Sequence, residues 1–472
     1  MNRGPGRGHR AATALAFGVD AFWIGLAWVS LAAWAVLPPL WWWGMRRVPW
    51  LGPDDADGAP GPDEAVTQAG AVDGRSAGPP AVAVVVAARD EAGTPEAAAA
   101  LTAAARSWRA LDLPSLEIVI VDDRSSDGTG DRLREALADD PRARLLRVDR
   151  LPEGWLGKVH ALDMGVRATR APWVVLTDAD VRLHPGSVSV ALRAAERWGA
   201  DHLALLPRFL AGGWLLRAFV VGFALLLTVL VRPWEAPDPR SPRTLGVGAF
   251  GLYRRSALER AGGLAAVRAR PDDDLALAQA VKAAGGRSWV TFAPDLVEVD
   301  WYPSLRAALR GLEKNAFSGV GYRPGLLLLA VTGLLATHVA PFALALVGPE
   351  AARVPAWGVV GIVLVVYAVH GRWARHSGWL GLAHPLTVAL LVVALLRSAG
   401  RALVTGHVRW RGRRYELAWL RTSARADESR DRAAARKRAA ARTRAAARTR
   451  AAAKRAAART RAAARTRAAA KR

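Results

Sequence analysis

Between residues 81 and 181, short apolar stretches alternate with longer segments of mixed polarity. The apolar stretches lie at 82–88, 116–123, 145–148 and 173–181, and helix-like segments lie near 94–110, from about 130 onward and near 158–168. Strands that are apolar without interruption and are separated by helices are typical of a largely parallel sheet covered on both faces. The pattern therefore predicts an α/β fold for this part of the chain.

Much longer apolar runs lie on either side of this region, at 14–43, 325–347, 356–370 and 379–396. The first run is long enough to cross a bilayer and ends in three tryptophans, which is typical of an anchor with an interfacial aromatic belt. A cleaved signal peptide is the alternative, because Arg3, Arg7 and Arg10 precede the run. We predict an N-terminal tail (1–13), an anchor (14–45), a disordered linker (46–80), a catalytic domain (81–322), transmembrane segments (323–400) and a basic tail (401–472).

Residues 214–231 form a fifth apolar run, interrupted only by Arg217. Asp178 and Asp180 precede this run and Asp272–Asp274 follow it, so a single crossing would separate these acids. We therefore interpret the run as an interfacial helix at the bilayer surface. Three crossings after a cytoplasmic domain would leave the basic tail outside. Either one of the three C-terminal runs does not span the membrane or the tail is external, and both alternatives stay open.

The net charge of +25 is concentrated at the C-terminal end. Residues 421–472 contain 19 Lys or Arg and 3 Asp or Glu, in repeats of AAARTR and AAAKR type. We predict contact with anionic lipid headgroups; nucleic-acid binding is a weaker alternative, and a functionally neutral repeat is another. The chain has no cysteine, which excludes disulfides, thiolate metal sites and a cysteine nucleophile.

Charged side chains collect where the predicted strands end. They are Arg89, Asp90 and Glu91 after the first strand, Asp122 and Asp123 at the second, and Asp178 and Asp180 at the fourth. In parallel sheets, ligands bind at these carboxyl ends. Two acids one residue apart at the end of a buried strand are costly unless a cation lies between them, and Mn²⁺ or Mg²⁺ accepts such oxygen ligands together with substrate phosphates. Asp178 and Asp180 thus predict a metal site, with two solvated acids as the alternative.

Six sequence stretches extend this picture. They are VAVVVAARDEA (82–92), IVIVDDRSSDGT (118–129), GWLGKVHALDMG (154–165), VLTDAD (175–180), GVGAFGLYRRSAL (246–258) and DDLALAQAVKAAGG (273–286). In order and spacing, over roughly 80–320, they resemble the inverting glycosyltransferases of family 2, which have a GT-A (Rossmann-like) fold. Because of GWLGK (154–158), GLEKNAFSG (311–319) and the apolar runs after the domain, the chain is most similar to the membrane-anchored members associated with hopanoid and carotenoid biosynthesis.

The resemblance implies roles for individual residues. A nucleotide-sugar donor would be bound by Ala88, Arg89, Glu91, Asp122, Asp123, Lys158 and Asp178, with Asp123 the better match to the acid that binds uracil. Asp178 and Asp180 would hold Mn²⁺ or Mg²⁺. Asp274, next to Asp273, would be the general base that deprotonates the acceptor; an acidic helix N-terminus is the alternative for this pair. Asp163 stands where the family usually has asparagine.

On the acceptor side, the resemblance points to Gly246, Gly248 and Phe250, with an ordinary buried strand as the alternative. The chain lacks the Q-x-x-R-W motif of processive synthases, which favours a single transfer. The predicted function is transfer of one sugar, from a UDP-hexose, to a polyprenoid lipid by a multi-pass protein of the inner membrane with a cytoplasmic catalytic domain. Transfer to a polyprenyl phosphate, processive synthesis, and a non-enzymatic membrane tether are the alternatives.

Overall fold

The structure, a computed structural model, describes residues 7–56, 81–313, 316–410 and 413–425. Most of the predicted linker (57–80) and most of the basic tail (426–472) lie outside these residues. The part of the predicted linker that is described contacts the α/β region, because Leu51 is buried and its backbone N–H donates to the carbonyl of Phe292 at 2.8 Å.

A central sheet of seven strands forms the α/β region, in the order β3-β2-β1-β4-β8-β6-β9. The strands are β1 Val82–Ala88, β2 Leu116–Asp122, β3 Ala143–Arg147, β4 Trp173–Asp178, β6 His202–Leu206, β8 Gly251–Arg254 and β9 Ser288–Phe292. Only β8 runs antiparallel to its neighbours, β4 and β6. The predicted α/β fold with a mostly parallel sheet is therefore confirmed. A second, small sheet contains β5 Val181–Leu183, β7 Arg208–Phe209 and β10 Val297–Val299.

Helices cover both faces of the central sheet. They are α2 Pro95–Arg109, α3 Thr129–Ala136, α4 Gly157–Ala168, α5 Ser187–Arg197, α7 Arg255–Arg260 and α8 Asp273–Ala283. Along β1, side chains 82, 84, 86 and 88 belong to one apolar core, which we call the first face, and 85 and 87 belong to the other, the second face. This alternation explains why β1 is apolar at every position: each side of the strand is buried against a helical layer.

Five helices among the described residues are long and apolar enough to cross a membrane: 18–45, 214–235, 324–347, 350–372 and 378–405. The first two correspond to α1 Arg7–Met45 and α6 Trp214–Val231. The third is a pair, α10 Pro324–Leu334 and α11 Ala340–Val347, joined by a π-helical turn at Leu335–Val339. The last two are α12 Glu350–Ala374 and α13 His384–Thr405, and a 3-10 turn at Gly378–Ala383 precedes α13. A short helix, α9 Leu305–Leu312, precedes the C-terminal group.

After α13 the chain returns to the α/β region. A hairpin of β11 His407–Trp410 and β12 Arg413–Glu416 leads into a helical segment at 417–425. Tyr415 and Trp419 pack against the second-face core, as Trp155 and Met164 also do. The C-terminal end of the described chain is therefore part of the α/β region's packing.

Candidate active site

The loops that follow β1 and β2 are joined by hydrogen bonds. The backbone N–H of Glu91 donates to Thr129 Oγ1 at 2.8 Å, and that of Ala92 donates to Asp127 Oδ2 at 2.6 Å. Burial opposes ionisation of Asp127, but the hydrogen bonds that it accepts from Thr129 and Ala92 lower the pKa of its carboxyl below the usual value. Asp127 thus holds the turn as an ionised capping residue.

The two acids at the end of β2 have different surroundings. Asp122 is buried, accepts from the backbone N–H of Ser125 at 2.9 Å, and lies 3.5 Å from an Arg147 nitrogen. Asp123 is also buried, accepts from Arg124 Nε at 2.8 Å and lies 3.4 Å from Arg89 Nη1. Asp122 therefore holds the turn, whereas Asp123 lies against the start of α4, because a Cβ at Gly157 would meet its carboxylate.

Lys158 connects two of the predicted site elements. It is the second residue of α4, and its Nζ lies 2.7 Å from Asp178 Oδ1 and 3.4 Å from Asp273 Oδ2. Burial disfavours the charged ammonium, but Asp178, Asp273 and Asp274 together raise the pKa of Lys158 above its ordinary value. Lys158 is therefore a fixed positive charge at the N-terminus of a helix, a place suited to a phosphate group.

Close backbone approach explains the glycines before β8. The backbone N–H of Asp178 donates to the Gly248 carbonyl at 2.9 Å, and a Cβ on Gly248 would collide with the Asp178 carboxylate and come within 3.3 Å of Lys158 Nζ. A Cβ on Gly246 would collide with the backbone of Asp274. Both glycines thus permit the acidic groups to converge.

We expect Gly248→Ala to lower kcat/KM by about 100-fold, because the added methyl group displaces Asp178 and Lys158 from their contact. The matched control is Gly212→Ala, since a Cβ at Gly212 has no neighbour within 4 Å. Steady-state kinetics and thermal unfolding of both variants would separate the local effect from misfolding. Wild-type kinetics for the folded Gly248→Ala protein would contradict the prediction.

Asp274 lies at the N-terminal end of α8, beside Asp273. Burial and then the charge of Asp273 raise the pKa of Asp274 to about 7, although Lys158 acts in the opposite direction. Tyr253, on β8, is buried, and burial together with Asp274 and Asp273 raises its pKa. The phenol is therefore a neutral group next to the acids, and Asp274 has the proton affinity that a general base requires near neutral pH.

The transfer rate is expected to rise with pH through about 7, because only the deprotonated form of Asp274 accepts a proton. Below that pH the protonated carboxyl predominates and the rate falls roughly tenfold per pH unit. Measurement of kcat between about pH 5.5 and 8.5 tests this sign. A rate that falls as pH rises through 7 would be the opposite result, and the residual rate of Asp274→Asn should lack the rise.

Asp178 is the last residue of β4, and Asp180 lies two residues further along the chain. Burial, then the charges of Asp178 and Glu91, raise the pKa of Asp180 to about 7. Crowded acids of this kind are relieved by a cation, and their oxygens suit Mn²⁺ or Mg²⁺. Across the described residues, no group of three or more His, Cys, Asp or Glu side chains is arranged to hold a metal ion. Two carboxylates, with phosphate and water as the other ligands, are a donor set in which proteins hold Mn²⁺ or Mg²⁺.

Three predicted residues have mainly packing or surface contacts. Phe250 is fully buried in the first-face core, so it has no exposed surface to offer an acceptor, as the buried-strand alternative predicts. Ala88 is fully buried too, and its carbonyl accepts from the Asp123 N–H at 2.8 Å. Asp163 pairs with Arg167 at 2.7 Å, one turn further along α4, which accounts for an acid at this position.

Tyr302, which the sequence analysis did not find, lies within electrostatic reach of Asp180 and Asp178. Burial, followed by the charges of Asp180 and Asp178, raises the pKa of Tyr302 to about 12, so its phenol is neutral beside the acids. Its ring lies 4.9 Å from that of Trp301, centroid to centroid. No motif marks this position, because its proximity to β4 arises from the small β5-β10-β7 sheet, which carries Trp301 and Tyr302 just after β10.

Comparisons with known proteins give one matching family and several similar solved structures. Residues 83–261 match the family described as "Glycosyl transferase family 2". Among solved structures, the chain is similar to the mannosyltransferase PcManGT from Pyrobaculum calidifontis in complex with GDP-Man and Mn²⁺ (19% identity, 81% of this chain and 99% of that chain, TM-score 0.47). It is also similar to S. aureus TarS 1-349 (12% identity, 71% and 96%, TM-score 0.34) and to the same fragment in complex with UDP (13% identity, 71% and 96%, TM-score 0.36). No curated protein sequence matches the chain.

Proposed function

We propose that this chain, whose residues 83–261 match the family described as "Glycosyl transferase family 2", is an enzyme that transfers a single sugar from a UDP-hexose to a polyprenoid lipid at the membrane. The observation that carries the proposal is the contact of one lysine, Lys158, with acids from two elements, Asp178 and Asp273. The pair of acids that includes Asp273 also includes the candidate base, Asp274. A donor diphosphate and an attacking hydroxyl can therefore be held at one site.

Donor binding is assigned to the loops after β1, β2 and β4. Asp123 offers a buried carboxylate to the imide N–H of uracil, and Arg89 lies beside it. Lys158 offers positive charge to the diphosphate. Asp178 and Asp180 would hold Mn²⁺ or Mg²⁺, which would supply Lewis-acid stabilisation of the leaving diphosphate.

Asp274 is assigned the proton transfer. Its carboxylate removes the proton from the acceptor hydroxyl, whose oxygen forms a bond to the anomeric carbon on the face opposite the nucleotide. The bond from the anomeric carbon to the phosphate oxygen breaks, and the nucleotide diphosphate leaves with the bonding electrons. Because attack and departure occur on opposite faces, the anomeric configuration is inverted. Asp274 then releases its proton to water.

An apolar surface leads from the acids to the membrane helices and supports a lipid acceptor. Tyr302 lies near the acids, and its neighbour Trp301 contacts Phe223 of α6, with ring centroids 5.1 Å apart. Around these rings, side chains from α6, α9 and α13 form one apolar cluster: Leu216, Phe219, Val220, Ala308, Leu312 and Ala394. The partly exposed side chains that pack on this buried cluster, among them Trp301, Tyr302 and Leu305, are where the tail of a lipid acceptor would lie, with its polar end at Asp274.

Trp301→Ala is expected to raise KM for a lipid acceptor about tenfold, which corresponds to losing about 1.4 kcal/mol of apolar contact. KM for the donor should change little, because Trp301 contacts the aromatic cluster and none of the donor-binding residues. Trp357→Ala is the control, since Trp357 is exposed on α12. Kinetics with the two substrates varied separately give the readout. Equal changes in both KM values would count against an acceptor role.

The function itself is tested by incubating membranes that contain the protein with labelled UDP-glucose and related donors, Mn²⁺ and a lipid extract. We expect a lipid-soluble product that carries one sugar and is stable to mild acid. An acid-labile product would instead indicate a polyprenyl phosphate acceptor, and a polymer would indicate a processive synthase. If no nucleotide-sugar bound in calorimetry, the non-enzymatic tether would be favoured and the proposal would fail.

A further inference from the structure

The segment after α12 begins on the side of the membrane bundle that faces the α/β region. Arg375, the residue after α12, pairs with Asp295 at 2.7 Å, and Asp295 lies between β9 and β10 of the α/β region. In the 3-10 turn that follows, the ring centroid of Trp379 lies 6.1 Å from that of Trp214 at the start of α6. Both tryptophans are more than half exposed, as expected of residues at a membrane interface.

From there the chain reaches only part of the way along the bundle. Gly378 lies against Ala368. The ring of His384, the first residue of α13, is hydrogen-bonded to the Tyr367 hydroxyl at 3.1 Å. Tyr367 is about 10 Å along the helix from the end of α12 at Ala374. His384 also lies 3.0 Å from His338, which belongs to the π-helical turn between α10 and α11. The 3-10 turn therefore ends, and α13 begins, inside the bundle and not at the far end of the bundle.

Backbone groups at this depth are shielded by protein. Leu380 and His384 are almost fully buried, and Thr387 is buried while its hydroxyl donates to the His384 carbonyl at 2.8 Å. Non-helical backbone at membrane depth is tolerated only where protein or water covers it. A helix that begins within the membrane is thus physically acceptable here.

The last turns of α13 return to the starting side. Arg397 and Arg401 both pair with Glu313, and the Ser398 hydroxyl accepts from the backbone N–H of Phe317 at 3.1 Å. Glu313 and Phe317 precede α10, the first C-terminal helix to leave the α/β region. Beyond α13, Trp419 packs on the second-face core. Both ends of the segment 375–419 thus contact the α/β region.

We propose that residues 378–405 are a re-entrant segment, which enters and leaves the membrane on the catalytic face. Only α1, the α10–α11 pair and α12 then cross the bilayer. Residue 425, the last described residue before the arginine-rich repeats, is consequently on the catalytic face, where anionic headgroups attract positive charge. An external tail, one of the two alternatives that the sequence left open, is rejected by this arrangement.

The proposal includes α6 as a surface helix. Before α6, the Leu210 N–H donates to the Val299 carbonyl at 2.9 Å; after it, Lys282 Nζ donates to the carbonyl of Ala236 at 2.7 Å. Both ends of α6 are therefore held by the α/β region. Along its length, Thr228 accepts from Trp41 near the end of α1 at 3.0 Å. Contacts of this kind suit a helix that lies across the catalytic end of the bundle.

Positive charge flanks the membrane helices at several places on the catalytic face, and on the far face at the start of α1 and at Arg353 in the first turn of α12. Arg46 and Arg47 follow α1, Arg372 and Arg375 lie at the end of α12, and the tail follows α13, all on the catalytic face. Arg7 and Arg10, at the start of α1, are on the far face, because α1 runs parallel to α12. This follows from Leu31 lying against Gly358, and Trp41 lying 6.0 Å from His370 between ring centroids. More of the flanking positive charge lies on the catalytic face than on the far face, so the positive-inside rule assigns the catalytic face to the cytoplasm.

The absence of cysteine permits a direct test with single-cysteine variants of the full chain. We choose four exposed positions: Ala138→Cys on the α/β region, Ser377→Cys after α12, Thr422→Cys beyond the hairpin and Glu350→Cys at the start of α12. A membrane-impermeant maleimide is applied to intact cells and to inverted vesicles. We expect Ala138→Cys, Ser377→Cys and Thr422→Cys to react only in inverted vesicles, and Glu350→Cys only in intact cells.

Labelling of Thr422→Cys in intact cells together with Glu350→Cys would overturn the proposal, since 378–405 would then cross the membrane. A second readout uses the unmodified protein and does not depend on variant folding. Trypsin should remove the arginine-rich tail in inverted vesicles and leave it intact in whole cells, and removal in whole cells would equally overturn the proposal. Neither readout requires activity, so failure here is distinguishable from failure of the proposed function.

Discussion

Asp274→Asn is expected to lower kcat for sugar transfer by a factor of about 10² to 10⁴, the usual contribution of a positioned general base. Asparagine has nearly the same shape as aspartate. Its side-chain oxygen can still accept the hydrogen bond that the Leu275 N–H donates to Asp274 at 2.8 Å. It cannot take a proton from a hydroxyl. Donor affinity, measured by calorimetry, should stay within about threefold of the wild-type value.

The stability of this variant provides an independent check. Burial and Asp273 raise the pKa of Asp274 in the folded protein to about 7. The unfolded chain therefore releases this proton at lower pH, so ionisation weakens the folded state as pH rises above about 4. Replacement by a neutral side chain should raise the thermal unfolding temperature at neutral pH. An inactive variant that is at least as stable as wild type is the expected combination.

Asp272→Asn is the matched control, because Asp272 precedes the pair and is held by Arg270, whose Nη2 lies 2.6 Å from its Oδ2. Its activity should be close to that of the wild-type protein. If Asp272→Asn and Asp274→Asn lost activity equally, the acids would act together as a helix N-terminus, the alternative interpretation of this cluster. Full activity in Asp274→Asn would remove it from the catalytic assignment.

Asp178→Asn should lower kcat/KM by about 100-fold or more and raise the Mn²⁺ concentration needed for half-maximal rate. The substitution removes the carboxylate that lies 2.7 Å from Lys158 Nζ. It leaves Asp180 as the single predicted metal ligand, and it leaves Lys158 with Asp273 as its closer acidic partner. Both the metal and the ammonium that would bind the diphosphate are therefore less well held.

Asp163→Asn provides the comparison for this variant, because Asp163 lies on the same helix as Lys158 but pairs with Arg167. Transfer assays over a range of Mn²⁺ concentrations should separate the two proteins clearly. Unchanged metal dependence in Asp178→Asn would exclude this residue as a ligand. Metal-dependent transfer that survived in both Asp178→Asn and Asp274→Asn would exclude the proposed mechanism as a whole.

The order of strands and helices up to β4 was predictable because each element has a strong periodic signal. β1 and β2 are apolar at nearly every position, and the acids that follow them mark the edge where the strands end. The position of β8 was not predictable in this way. Its insertion between β4 and β6, antiparallel to both, depends on pairing between residues distant in sequence, which no local pattern encodes.

The site was predictable where a motif carried it and not elsewhere. The order of the motifs predicted that Lys158, Asp178 and Asp273 belong to one site, and the structure places Lys158 in contact with both acids. Tyr302 was not found, since its place depends on the small β5-β10-β7 sheet. Phe250 was predicted to lie on the acceptor side, but it immediately precedes β8 and its side chain is fully buried in the first-face core.

The packing of Tyr415 and Trp419 against the second-face core has a consequence for biogenesis. The ribosome completes α4 long before it makes residue 419, a delay of roughly 10 to 50 seconds at typical elongation rates. During this time the apolar C-terminal helices are made while the second-face core still lacks the cover that Tyr415 and Trp419 provide. Final closure of the catalytic domain is therefore timed by membrane insertion, and a chain whose last helices fail to insert keeps this surface open to quality-control proteases.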